Sequence, residues 1–268
     1  MKELFFYNKP DQHQGTPQVL IVKLAEEYCG YAITNQTGTD LYSLSYCEMN
    51  GESSLALFEE KYSALKDTYY EVKIIFDFPY HLLLPFNEEA GSDAMSQLNN
   101  LHGNNSPSIT VTENIPNWQL KNKYAVPAGV FDWVRKRFPS AKYLHQYSVS
   151  IMNLGAAGDE GKLLVDFSNQ QFSVVAGKRN KFLLAKNFEY ETPDDVLFYL
   201  LKTCEQFSLS PKEVSLELSG LIAKESSLYK ELYQYFTNIG FRDAAWGSVD
   251  DHPAHFFISF NDIMRCAS

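Results

Sequence analysis

The sequence has no long apolar run. Its most apolar stretch, HLLLPF around Leu82–Leu84, has the length of a strand, whereas a membrane-spanning helix needs about 20 apolar residues. The N-terminal segment MKELFFYNKPDQHQG also lacks the apolar core and the small-residue cleavage site of a signal peptide. We therefore expect a cytoplasmic protein that does not insert into a membrane.

Cysteine and basic residues are both scarce. Four cysteines are scattered singly, at Cys29, Cys47, Cys204 and Cys266, and no CxxC pair suggests a zinc knuckle or a redox motif. We expect them to be buried as small hydrophobes. The 23 basic residues face 33 acidic ones, which gives a net charge of −10. Such a surface repels nucleic acid, so we expect a protein partner instead.

Motifs for catalysis and metal binding are also missing. The sequence contains no GxSxG elbow, P-loop, HExxH pair or Rossmann fingerprint. One cluster, Asp250, Asp251, His252 and His255, has the right residue types for a metal. Pro253 breaks the helix that would align the two imidazoles, so a solvated turn is the better interpretation. We expect no metal site, no catalytic residue and a non-enzymatic role.

A repeated order of elements is present instead. Hydrophobic residues make up 45% of the chain, and their pattern predicts the same order of elements in both halves, namely three strands, a helix, a fourth strand and a further helix. The first set comprises strands 18–24, 28–34, 41–48 and 69–77 and a helix over 52–66. The second comprises strands 162–168, 171–176, 181–190 and 213–220, a helix capped by Thr192 that runs to Phe207, and a helix over 225–238 closed by Gly240.

The two sets are related by an almost constant offset. Subtracting 143 carries Asp166 onto Lys23 and Leu200 onto Leu57, and a slip of one residue carries Val214 onto Val72. Identities are few, so the agreement is one of hydrophobic pattern and spacing. It indicates an internal duplication at the scale of a domain.

The remaining segments join or flank the repeats. The first fifteen residues indicate a tail or a short edge element, residues 87–106 a polar loop, and HFFISF near the C-terminus a strand. Between the repeats we predict a hairpin over 108–126, a helix from Pro127 to Phe138 and a strand over 142–146. The glycines of GAAGDEG, residues 155–161, mark a hinge. We therefore predict a first half over 1–156 and a second half over 157–268.

The C-terminal half carries the most specific resemblance. Its segment NFEYETPDDVLFYLLKTCEQF, followed by EVSLELSGLIAKESSLYKELYQYF, resembles a bacterial family known only as domain of unknown function 3822. That family is similar to the actin-like proteins of pilus assembly and secretion. The resemblance implies an α/β protein with mixed sheets and a duplicated ribonuclease H-like (actin-like ATPase) fold of two similar halves. It implies no activity.

The actin-like resemblance also implies where a nucleotide would bind. Each half of an actin-like ATPase supplies a phosphate loop, with an Asp that ends the first strand and glycines in the following hairpin; ATP lies between the halves. In this sequence Asp166 is present, but Phe167, Ser168 and Asn169 stand where the glycines belong. In the first half Lys23 replaces the Asp, and Glu26 and Glu27 follow it. Two negative charges there repel phosphate.

Two alternatives to a binding role stay open. Gly220 remains of the adenosine-binding glycines that the resemblance implies, so Asp166, Ser168 and Gly220 are the candidate residues if ATP and Mg²⁺ bind. A nuclease of the ribonuclease H-like type would need converging carboxylates around two metals, for which Asp166, Glu205 and Glu217 are the candidates. The net negative charge opposes the nuclease alternative.

These observations favour one function. We expect a non-catalytic, actin-like binding or scaffold module with degenerate phosphate loops. Its protein partner or ligand is expected in the cleft between the halves, since clefts between domains are common binding sites.

Overall fold

The computed structural model describes residues 1–9, 16–49, 51, 54–87, 98, 103 and 107–266. The chain forms two compact units, Met1–Ser148 and Val149–Ser268. The domain boundary predicted at residue 156 lies slightly later in the chain and remains a prediction. The loop predicted over 87–106 and the start of the helix predicted over 52–66 fall largely outside the described residues.

The first unit contains a six-stranded sheet with the order β1-β4-β3-β2-β5-β9. Its strands are β1 Lys2–Asn8, β2 Gln18–Ala25, β3 Tyr28–Asn35, β4 Leu41–Glu48, β5 Glu71–Asp77 and β9 Lys142–His145. Strand β2 is apolar on both faces, and almost all of it is buried. Continuous apolar runs of this kind are typical of strands that are covered on both sides.

A three-stranded sheet and helices complete the first unit. The sheet has the order β6-β8-β7, with β6 His81–Pro85, β7 Ser108–Ile115 and β8 Leu120–Pro127. The helices are α1 Ser54–Lys61, α2 Ala128–Arg137 and α3 Gln146–Asn153, which continues into the second unit, and 3-10 turns cover Ser63–Lys66 and Pro116–Trp118. Leu55, Phe58, Tyr62 and Leu65 are all buried, as predicted, but the α-helix ends at Lys61 and Leu65 lies in the following 3-10 turn.

The second unit contains a five-stranded sheet with the order β12-β11-β10-β13-β14. Its strands are β10 Lys162–Phe167, β11 Gln171–Lys178, β12 Lys181–Glu189, β13 Ser215–Gly220 and β14 Asn238–Phe241. Its helices are α4 Pro193–Gln206, α5 Ser227–Tyr235 and α6 Ile258–Arg265, with a 3-10 turn over Ala254–Phe257. The predicted cap of α4 is confirmed: the Thr192 side chain accepts from the Asp195 backbone, and the Asp195 carboxylate accepts from the Thr192 backbone.

The two larger sheets have the same topology. In the first unit β3 pairs antiparallel with both β2 and β4, while β5 pairs parallel with both β2 and β9. In the second unit β11 pairs antiparallel with both β10 and β12, while β13 pairs parallel with both β10 and β14. The hairpins match at the predicted offset, since Phe167 opposite Phe172 corresponds to Leu24 opposite Cys29. The predicted duplicated α/β architecture is therefore confirmed, with β1 added at the edge of the first sheet.

Two of the predicted equivalences are wrong. In the fourth strands, Ser215 pairs with Lys162 and Glu71 pairs with Val19, so Ser215 is the equivalent of Glu71. The fourth strands are therefore displaced by one residue from the general offset, but in the direction opposite to the predicted match of Val214 with Val72. The match of Leu200 with Leu57 also fails, because Leu200 is buried and Leu57 is 48% exposed. The two units therefore share the arrangement of their sheets, but their first helices do not match residue by residue.

Two predicted elements also differ from the structure. Gly240 does not close α5, which ends at Tyr235; it lies within β14. The segment HFFISF is not a strand, because it forms a 3-10 turn and the start of α6. Of the two interpretations of the N-terminal segment, the edge element is confirmed: it is β1, which pairs antiparallel with β4. Both α6 and β14 are short, which weakens their periodicity in the sequence.

Candidate functional site

Asp166 and Ser219 meet where two parallel strands of the second unit end. Strand β10 pairs with β13, and Asp166 lies opposite Ser219. The flanking Val165 and Phe167 point into the core beneath α4 and α5, so the Asp166 side chain points to the other face of the sheet. There its carboxylate accepts a hydrogen bond of 2.7 Å from the Ser219 hydroxyl. The candidate carboxylate is thus held by a neighbour on its own sheet.

Ser168 closes the turn that follows β10. Its backbone N–H donates to the carbonyl of Gln171 at 2.9 Å, and its hydroxyl donates to the same oxygen at 3.2 Å. Gln170 takes the left-handed conformation that completes the turn, with φ of 56°. Both donors of Ser168 are therefore directed into the hairpin.

Gly220 ends β13 against the backbone of β10. Its φ is +77°, and a Cβ there would lie 2.1 Å from the carbonyl oxygen of Phe167 and 2.7 Å from its nitrogen. The next residue, Leu221, donates its N–H to the same Phe167 carbonyl at 2.8 Å. Glycine is required here because the two strand ends approach so closely. This requirement accounts for Gly220 without a nucleotide.

Lys23 occupies the position in the first unit that Asp166 occupies in the second. Its side chain is only 4% exposed, and its ammonium lies 3.2 Å from the carboxylate of Asp77 at the end of β5. The Tyr28 hydroxyl also donates to Asp77, and the Lys23 ammonium lies 5.3 Å from the centre of the Tyr28 ring. A closed cluster of cation, anion and phenol thus takes the strand-end position.

Glu26 and Glu27 lie in the turn between β2 and β3, and both are exposed. Desolvation raises the pKa of Glu26, and the negative charge of Glu27 raises it further. A turn that already holds two carboxylates disfavours a third anion by charge repulsion.

The three carboxylates of the nuclease alternative are not brought together. Glu205 is exposed on α4 and pairs with Lys202 at 2.7 Å. Asp166 and Glu217 lie on the sheet face opposite to that helix, because the residues that alternate with them pack beneath it. No cluster of three or more His, Cys, Asp or Glu suited to a metal occurs among the described residues. The geometry contradicts a two-metal centre built from these residues.

The acidic and histidine-rich segment near the C-terminus divides into two environments. Asp250 and Asp251 lie in an exposed turn, as predicted. The prediction fails for His255, which is buried: its Nε2 lies 2.7 Å from the Ile222 carbonyl, and its ring stacks on Phe241 at 4.1 Å. His255 therefore belongs to the core of the second unit.

A groove that the sequence did not indicate lies on the second unit. It has a volume of about 530 Å³, and its walls come from β13, β14, α6 and the end of α3. Arg242 lines the groove and donates to both carboxylate oxygens of the buried Asp262 at 2.8 and 3.0 Å. Glu217, also in the groove, lies 2.9 Å from the Lys162 ammonium and 3.7 Å from the Arg242 guanidinium.

The charged side chains that line the groove are of both signs. Burial raises the pKa of Asp262 to about 6, although Arg242 lowers it. Asp243 and Arg265 are exposed and line the groove with opposite charges. Arginine and carboxylate groups held in this way suit polar recognition of another protein. The groove was not predicted, because β14 and α6 form much of its wall and the hydrophobic pattern indicated neither element. The available signal was the strand predicted over 142–146 in the first half, since the repeat implies an equivalent strand after α5.

Comparison with known proteins agrees with this topology. The family model described as "Protein of unknown function (DUF3822)" matches residues 8–239. A solved structure from Bacteroides thetaiotaomicron, described as having an actin-like ATPase fold and unknown function, is 16% identical, has a TM-score of 0.79, and is matched over 97% of this chain and 100% of that one. No curated protein matches the chain.

A second solved structure shares the fold at a greater distance. It is the PilM–PilN type IV pilus biogenesis complex, with 12% identity and a TM-score of 0.56 over 85% of this chain and 88% of that one. Both identities are low, so these structures establish the actin-like fold and nothing more. The described part of the chain contains no helix that is long and apolar enough to span a membrane.

Proposed function

The chain belongs to the DUF3822 family, and we propose that it is a protein-binding or scaffold module with an actin-like fold that does not hydrolyse ATP. The observation that carries this proposal is the buried ion pair of Lys23 with Asp77 at the end of β2. An ammonium group there cannot take the place of a carboxylate that holds Mg²⁺, since Mg²⁺ is bound by oxygen ligands.

The neighbouring residues support the same proposal. Glu26 and Glu27 oppose an incoming phosphate by charge repulsion. In the second unit, the donors of Ser168 and the tight packing of Gly220 are explained by the hairpin and the strand pair. These residues do not form the open, glycine-rich cradle that phosphates require.

A protein is the partner that fits best. The fold is used in a two-protein assembly in the PilM–PilN complex. The groove of the second unit offers exposed groups of both signs, Asp243 and Arg265, and the net charge of −10 disfavours nucleic acid. We place the protein in the cytoplasm, which the four free cysteines support.

Nucleotide binding is tested by titrating the full chain with Mg-ATP in a calorimeter and in a thermal-unfolding assay. We expect no saturable heat and no rise in melting temperature. A saturable rise that is lost in Asp166→Ala would overturn the proposal and support ATP binding at Asp166, Ser168 and Gly220.

Partner binding is tested by cross-linking and affinity capture from a lysate of the native host. We expect a protein that is captured by the wild-type chain and lost in Arg265→Glu, which reverses a charge in the groove. Lys224→Glu is the matched control, because Lys224 is also exposed on the same unit but does not line the groove. If both variants capture the protein as well as the wild-type chain does, the groove is not the binding surface. If neither the wild-type chain nor a variant captures a protein, the binding role is contradicted.

A further inference from the structure

Cys29 and Cys47 lie directly opposite each other on the antiparallel strands β3 and β4. Both are free and fully buried, and both face the core beneath α1. Opposite residues of an antiparallel pair have Cα atoms about 4.5–5.5 Å apart. Disulfides span Cα separations of about 4.4–6.8 Å, so these strands can be bridged without separating.

The two thiols have different surroundings. The Cys47 sulfur lies 3.2 Å from the Tyr62 hydroxyl and 4.0 Å from that of Ser45. A hydrogen bond with Cys29 lowers the pKa of Cys47, whereas the same interaction and burial raise the pKa of Cys29. Cys47 is therefore the more acidic thiol of the pair. By contrast, burial raises the pKa of the more isolated Cys204 to about 11.

We propose that Cys29 and Cys47 are an oxidisable dithiol that closes into a reversible cross-strand disulfide when the protein meets hydrogen peroxide. The Cys47 sulfur attacks one peroxide oxygen, the O–O bond breaks, and the hydroxide that leaves takes up a proton to become water. The Cys29 sulfur then attacks the Cys47 sulfenic acid, the S–O bond breaks, and a second water leaves with the Cys29 proton. The dithiol loses two electrons and two protons, and peroxide is reduced to two waters.

The edge strand β1 provides the route of access. In the β1–β4 ladder Glu3 lies opposite Cys47, and the register shifts between Glu3 and Phe5. The Glu3 carboxylate accepts from the Tyr62 hydroxyl, so β1 and Tyr62 together cover the Cys47 sulfur. Edge strands open locally at a lower free energy than central strands, and opening of β1 exposes Cys47 to a small oxidant.

The dithiol is tested on the reduced, full-length chain. The protein is treated with hydrogen peroxide under native conditions, quenched with catalase, then unfolded in an alkylating reagent. We expect the number of alkylated thiols to fall from the four that the sequence contains to two. Peptide mapping should identify a Cys29–Cys47 link, and dithiothreitol should restore all four thiols.

Serine variants distinguish the cysteine that reacts with peroxide, Cys47, from the cysteine that then closes the disulfide, Cys29. Cys29→Ser should form no disulfide and should leave a Cys47 sulfenic acid that dimedone traps, whereas Cys47→Ser should give neither product. Cys204→Ser is the control, and it should form the Cys29–Cys47 link at the wild-type rate.

Two results would overturn the dithiol. One is wild-type protein that keeps four alkylatable thiols after peroxide; the other is a link that involves Cys204 or Cys266. Because both are read from the wild-type chain, the test holds even if a serine variant fails to fold. It is also independent of whether the chain binds ATP or a protein.

Discussion

Lys23 offers a sharp test of the strand-end cluster. Two unit charges 3.2 Å apart attract by about 5 kcal/mol at an effective dielectric constant of about 20, and desolvation of both groups offsets part of this attraction. Removing one member of a buried pair costs about 3–5 kcal/mol. Asp77 is 18% exposed and keeps the Tyr28 hydroxyl. We therefore expect Lys23→Met to lower the free energy of unfolding by about 2–4 kcal/mol.

The assay is urea-induced unfolding followed by tryptophan fluorescence. In a Trp246→Phe background the remaining tryptophans, Trp118 and Trp133, both belong to the first unit, so the signal reports the unit that contains Lys23. Lys202→Met is the matched control. Lys202 pairs with Glu205 at 2.7 Å, but both side chains are more than half exposed, and such surface pairs contribute about 0–1 kcal/mol. The control is read by circular dichroism, since its unit then lacks a tryptophan.

A charge exchange extends the test. Lys23→Asp places a second carboxylate beside Asp77 and should destabilise the first unit at least as much as Lys23→Met. Adding Asp77→Ser should recover part of the loss, because an Asp–Ser pair is what the second unit uses at Asp166 and Ser219. If Lys23→Met changes the free energy of unfolding no more than Lys202→Met does, the buried ion pair does not stabilise the unit and the reasoning fails.

Two further predictions concern other buried groups. Gly220→Ala should lower the free energy of unfolding in urea by at least about 2 kcal/mol, because Gly220 has a positive φ and a Cβ there would meet the Phe167 backbone. The control is Gly240→Ala, whose Cβ meets no atom within 4 Å and which should change stability by less than about 0.5 kcal/mol. Equal effects of the two substitutions would contradict the packing argument. Burial raises the pKa of Glu113 to about 7, so its ionisation costs stability as pH rises from about 4.5 to about 7. Glu113→Gln should therefore gain stability relative to wild type over that interval, by up to about 3 kcal/mol in melting scans; a difference that does not vary with pH would refute the assignment.

The sheets were the most predictable part of the fold. Apolar runs of strand length, such as 18–24 and 41–48, were recognisable without periodicity, and they coincide with β2 and β4 to within one residue. The short C-terminal elements were not predictable in the same way. Helix α6 has only eight residues, and its polar residues Ser259, Asn261 and Asp262 are buried together with its apolar ones, so polarity in the sequence does not mark an exposed face of this helix.

The candidate site was only partly predictable. The sequence identified Lys23 and Asp166 as equivalent positions, since the hairpins share one offset. It did not indicate that Asp77 would pair with Lys23, or Ser219 with Asp166, because both partners come from a strand far along the chain. The Cys29–Cys47 pair was missed for the same reason: single cysteines become a pair only through strand register.

The two units share one strand topology but carry different side chains at their strand ends. Parallel pairing of a first and fourth strand brings their ends together in both units, whatever residues stand there. In the second unit the ends carry a carboxylate and a hydroxyl; in the first they carry an ammonium and a carboxylate. Each pair satisfies its own polar groups, which is what a buried strand end requires. Selection for a stable sheet is therefore enough to retain either pair, and the same sheet topology accommodates different residues at its strand ends.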